Sequence, residues 1–210
     1  MKLFTSLFGK KNKASSGKSS NAVVIVSGLP RSGTSMMMKM LEAGGLALVI
    51  DGIRTADEDN PKGYYEFERV KQLDKGDTAW VAEARGKGVK VISALLEHLP
   101  PEHDYKVLFM NRHLDEVLAS QRKMLQRRHE KSDISDEKLA ELLQKHVLQV
   151  KINLSRQPNV EMLDLDYNAM LADPLPFVRE INTFLGGNLD EQAMSAVIDP
   201  ALYRNRKATA

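Results

Sequence analysis

The chain has 210 residues, 42% hydrophobic and 28% charged, a balance that fits one soluble globular domain with a real core and excludes a disordered protein. Cysteine is absent, which excludes disulfides, thiol nucleophiles and thiolate zinc sites. The formal net charge of +2 belongs to one end: residues 1–21 hold five lysines and no acid, and the other 189 residues carry 25 basic and 28 acidic side chains, so the body offers no clustered basic face for nucleic acid.

Residues 1–21 read as a flexible basic tail rich in Ser, Lys and Gly. Its apolar stretch, Leu3 to Phe8, is broken by Thr5 and Ser6, and its lysines mostly follow the apolar part, the reverse order of a secretion signal. Scattered lysines attract an anionic membrane only weakly, and no run of about 18 apolar residues follows. The sequence therefore predicts a cytoplasmic protein without stable membrane association.

A single domain is expected over residues 22–210. Ala22–Ser27 is a continuous β-branched run, the pattern of a strand buried on both faces. Thr34 to Ala43 reads as a helix ended by Gly44-Gly45. Ala47–Ile50 is a possible second strand, and Asn60-Pro61-Lys62-Gly63 is turn chemistry inside a long polar connection. Val89–Ile92 and Tyr105–Met110 are strands, and Leu114 to about His129 is helical. Ser135 caps a helix with Leu139, Leu142, Leu143, Val147 and Val150 on one face. Val160–Leu165 is a further strand, and Pro176–Leu185 a helix closed by Gly186-Gly187. Strands alternating with helices predict an α/β domain with a mainly parallel sheet of about five strands.

The chemistry concentrates after the first strand, in Gly28-Leu29-Pro30-Arg31-Ser32-Gly33-Thr34-Ser35. A buried strand runs into a glycine loop that opens a helix, so backbone N–H groups and the positive helix end converge on one anion site. Gly28 and Gly33 have the spacing of the ATP-type loop, but Thr34 stands where that loop has its lysine. The cation here is Arg31, whose guanidinium can fork onto phosphate or sulfate oxygens.

At Pro30-Arg31-Ser32-Gly33-Thr34-Ser35 the chain resembles the sulfotransferase family. The resemblance implies a three-layer P-loop-type domain and 3′-phosphoadenylyl sulfate as co-substrate, with Arg31, Ser32, Gly33, Thr34 and Ser35 around its 5′-phosphosulfate. It also implies an Arg at the end of a later strand and a Ser eight residues on, both for the 3′-phosphate. Arg112 follows Tyr105–Met110 at that place, and Ser120 lies two turns into the next helix. Val160–Tyr167 and Leu171-Ala172-Asp173-Pro174 look like the family's final strand and turn, and among the late basic residues Arg204, Arg206 and Lys207, Arg206 is carried over as a 3′-phosphate contact.

Sulfuryl transfer rests on positioning and on cationic stabilisation, assigned here to Arg31, plus a base for the acceptor's proton. The histidine that one branch of the family uses is missing; Ser93 stands near its place, and His98 comes five residues too late. Glu66, after Gly63-Tyr64-Tyr65, is the candidate base, because a carboxylate walled by aromatic surface holds a proton more readily; Asp57 and Glu68 are its rivals. No His spacing suggests a metal site. The reading is a sulfotransferase acting on an unidentified hydroxyl or amine acceptor. Two alternatives stand beside it: an ATP-dependent P-loop small-molecule kinase, disfavoured by the missing lysine, and a non-catalytic nucleotide-binding relative.

Overall fold

Four apolar segments lie side by side as parallel strands: β1 (Val23–Gly28), β2 (Gly88–Lys90), β3 (Tyr105–Asn111) and β4 (Val160–Asp166), in the order β2-β1-β3-β4. They are seen in a computed structural model that describes residues 21–54, 63–127 and 134–198. All six β1 residues are buried, because layers cover both faces of the sheet. The period-two alternation of strands then divides the core in two. Val23, Ile25, Val107 and Phe109 meet Trp80, Leu96 and Leu154 on one face. Val24, Val26, Leu108 and Met110 meet Met37, Met38, Leu41 and Ile181 on the other.

The helices are α1 (Thr34–Ala43), α2 (Leu114–Arg127), α3 (Asp136–Ser155), α4 (Tyr167–Ala172), α5 (Pro174–Leu185) and α6 (Glu191–Ala196). Gly45 follows α1 at φ 94° and Gly186 follows α5 at φ 113°, the left-handed conformation that the Gly-Gly pairs predict. Ser135 caps α3, its Oγ accepting from Lys138 N at 3.3 Å. On α3 the predicted face packs on the core through Val147 and Val150 and is continued by the buried Leu154, while Leu142 is exposed. The predicted end of α2 near His129, and residues 1–20, lie outside the described residues. No helix among the described residues is long and apolar enough to cross a membrane.

The predicted strand at Ala47–Ile50 is a single parallel bridge, Leu48 to Gly88, so the expected fifth strand is reduced to one residue at the sheet edge. Val89–Ile92 pairs only as far as Lys90. Three 3-10 stretches, Glu68–Lys75, Ala79–Ala84 and Ser93–His98, supply Val70, Leu73, Trp80, Val81 and Leu96 to the core, where the sequence showed only a polar connection.

This strand order positions the site. The chain leaves β1 toward β2 on one side, then returns past β1 to β3 on the other. The crevice at the carboxyl ends of β1 and β3 is thus the topological switch point, where open α/β sheets bind ligands.

Candidate active site

At that crevice β1 ends in Gly28, with φ 148°, and the loop turns through Ser32 N donating to the Leu29 carbonyl at 3.1 Å. Arg31 sits at φ 73° and Gly33 at φ 98°. Gly33 has no side chain with which to cap α1, so the first-turn N–H groups are presented to an external anion. Ser32 Oγ is buried with no hydrogen-bond partner among the described residues. An orphaned hydroxyl beside an uncapped helix start fits an anionic group held by the loop.

The structure brings Arg31 and Ser120 together across 89 residues, with Arg31 Nε donating to Ser120 Oγ at 2.8 Å. Arg112 leaves the end of β3 and donates from an Nη to the Arg31 carbonyl at 3.2 Å. Its guanidinium lies 4.7 Å from the centroid of the Tyr167 ring, and burial pushes the Tyr167 phenol up in pKa. The motif residues from the two strand ends therefore form one contiguous polar cluster.

A second cluster flanks the start of α1. Lys90, at the end of β2 and 8% exposed, donates to the Tyr64 carbonyl and lies 3.4 Å from Ser35 Oγ. Its Nζ is also 3.4 Å from Glu66 Oε1. Burial lowers the Lys90 pKa to about 8, against the opposing pull of Glu66. Glu66 is bonded at 2.9 Å to Arg54, with Lys71 at 3.8 Å. The aromatic wall expected beside Glu66 is thus replaced by cations: the Tyr64 ring is covered by Arg54 at 3.4 Å, and Tyr65 Oη donates to Glu42.

Lys90 is the residue that the sequence reading missed. A lysine inside a Val-rich run that forms a strand was the available signal, since a buried lysine needs a partner. Of the residues near the expected base, Ser93 is buried and turned toward α3, its Oγ 2.8 Å from His146 Nε2. His98 is exposed at the end of its 3-10 turn. Glu68 is paired with Lys71 at 2.6 Å. Asp57, Arg204, Arg206 and Lys207 lie outside the described residues.

The family model described as "Sulfotransferase domain" matches residues 22–210. The fold is similar to the sulfotransferase domain of the Synechococcus PCC 7002 olefin synthase, at 17% identity and TM-score 0.52, over 94% of this chain and 87% of that one. It is similar to sulfotransferase STF1 from Mycobacterium tuberculosis H37Rv at 16% identity and TM-score 0.56, over 84% of this chain and 70% of that one. It is also similar to mouse sulfotransferase SULT7A1, solved in complex with PAP, at 16% identity and TM-score 0.55, over 91% and 68% of the two chains. At these identities the likeness is one of fold. No curated protein matches the chain. With its glycine loop opening α1 at the switch point and the family match spanning residues 22–210, the chain belongs to the sulfotransferase domain family and is a transferase.

Proposed function

We propose that the protein moves a sulfuryl group from 3′-phosphoadenylyl sulfate to a hydroxyl or amine acceptor. The observation that carries this reading is the Arg31–Ser120 hydrogen bond of 2.8 Å together with Arg112 on the Arg31 carbonyl. It gathers on one crevice the cations and hydroxyls suited to both ends of a nucleotide bearing two phosphate groups. Ser32, the Gly33 N–H, Thr34 and Ser35 serve the 5′-phosphate from the uncapped start of α1. Arg112 and Ser120 serve the 3′-phosphate, and Arg206 is assigned to the same group from the resemblance.

Arg31 forks onto the transferring group and neutralises charge on the oxygen that leaves. Lys90 adds a second cation beside Ser35. As the acceptor atom bonds to sulfur, the bond from sulfur to the bridging phosphate oxygen breaks, releasing adenosine 3′,5′-bisphosphate. Glu66 takes the acceptor's proton.

Calorimetric titration tests the reading. Adenosine 3′,5′-bisphosphate should bind without magnesium, and more tightly than 5′-AMP or ATP·Mg. Arg112→Ala should erase the preference over 5′-AMP, a loss of roughly ten- to hundredfold for one charge-assisted contact. Glu66→Gln should cut turnover about 10²–10⁴-fold on any acceptor found by screening, with bisphosphate affinity within about threefold. Equal binding of 5′-AMP and the bisphosphate to the unaltered protein would overturn the assignment.

A further inference from the structure

Glu116 lies one turn into α2 and is 2% exposed, an unusual position for a carboxylate. One of its oxygens accepts from Arg112 Nε at 2.9 Å. Asn168 Nδ2 donates to both of its oxygens at 3.1 Å, and His113 Nδ1 stands 3.8 Å from Oε1. Asn168 is itself fixed, since its Oδ1 accepts from His113 N at 3.1 Å. Two junctions, β3 to α2 and β4 to α4, are thereby pinned to each other through one buried carboxylate. Stability alone does not account for this arrangement. A buried ion pair gains little over apolar residues of the same volume, because desolvation of the charges offsets their attraction.

The result is a guanidinium with little rotational freedom. Glu116 holds Nε of Arg112, the Arg31 carbonyl holds one Nη, and the Tyr167 ring packs against the face. Tyr167 adjoins Asn168 in sequence, and its ring is packed so closely on the phosphate loop that a Cβ on Gly33 would come within 2.3 Å of it. A long side chain anchored in this way binds an anion without first losing its own rotamer entropy.

Resting on the nucleotide reading above, we infer that Glu116 and Asn168 are positioning residues: they orient Arg112 and so set the preference for a nucleotide carrying a 3′-phosphate. The carboxylate does not touch the nucleotide. Its negative charge opposes an incoming phosphate, so orientation and repulsion act with opposite signs and can be separated. Gln keeps the shape and the oxygen that accepts from Arg112, whereas Ala removes the anchor.

The experiment is titration of wild type, Glu116→Ala, Glu116→Gln and Asn168→Ala with adenosine 3′,5′-bisphosphate and with 5′-AMP, alongside each variant's melting temperature. Glu116→Ala should lower the bisphosphate-to-AMP preference at least tenfold while 5′-AMP affinity stays within about twofold. Glu116→Gln should restore the preference to within about threefold of wild type. Asn168→Ala, which leaves the ion pair itself in place, should lower it about threefold and covers the case of a Glu116→Ala protein that does not fold. Full preference in both Ala variants overturns the proposal. Equal weakening of both nucleotides also overturns it, since that is the mark of a merely structural residue. A tighter bisphosphate complex in Glu116→Ala would make Glu116 a competing anion. An absent preference in the wild type strikes the nucleotide reading itself and is distinguishable from all of these.

Discussion

Single residues at the site carry energetic costs that packing does not require. The only non-glycine residues at positive φ among those described are Arg31, at 73°, and Tyr65, at 53°, and such backbone costs about 1–3 kcal/mol at each position. Lys90 adds an electrostatic cost. Its folded pKa of about 8 lies below the ordinary 10.5, so between those values the unfolded chain binds more protons and stability rises with pH. Below about pH 8 Lys90 is charged in both states and the burial cost is fully present. Lys90→Met should lack this rise, so the stability difference between variant and wild type should move in favour of wild type from pH 7 to pH 10.5. Chemical denaturation at the two pH values measures this. An unchanged difference would show that Glu66 and Arg54, not burial, control the lysine.

The strand–loop–helix unit of β1 and α1 is tight for a reason that belongs to the element. Gly33 is at φ 98° and its position is closed by Tyr167 at 2.3 Å, whereas Gly45 is at φ 94° with nothing within 4 Å. The pair separates backbone from contact. Gly45→Ala pays only the conformational term, about 1 kcal/mol. Gly33→Ala must in addition displace the Tyr167 ring, which carries the face of Arg112, so it should cost roughly 2 kcal/mol or more and lower bisphosphate affinity over tenfold. Thermal melts with calorimetry check both. Equal effects from the two substitutions would deny the contact any role. The same unit was the most legible part of the sequence, because its strand, loop and helix are local patterns confined to residues 23–43.

In the whole molecule, the site joins segments that are distant in sequence: the loop after β1, Lys90 on β2, Arg112 and Ser120 after β3, and Tyr167 and Asn168 after β4. On the proposed reading, a nucleotide spanning the crevice would bind only when all are docked and would stabilise the folded state as a unit. At a hundred times its dissociation constant, the bisphosphate should add about 2.7 kcal/mol, a rise of roughly 5–10 °C in melting temperature for a domain of this size. A scan with and without ligand measures it, and an unmoved transition would place the binding segments outside the cooperative unit.

The sequence by itself determined the α/β alternation, the parallel strands and the strand–loop–helix unit of β1 and α1, since each is written in local periodicity, whereas the roles of Arg112 and Ser120 came from the family resemblance. Tertiary structure alone decided the rest. Ala47–Ile50 has the composition of a strand, yet beside a three-residue partner it finds only one bridge. Tyr64 and Tyr65 looked like a wall for Glu66, but the fold covers one ring with Arg54 and turns the other to Glu42. Lys90 and Glu116 are buried beside the site because strand order and helix packing remove their water. Burial of a charge depends on which elements close over it, and that information is spread along the whole chain rather than held near the residue itself.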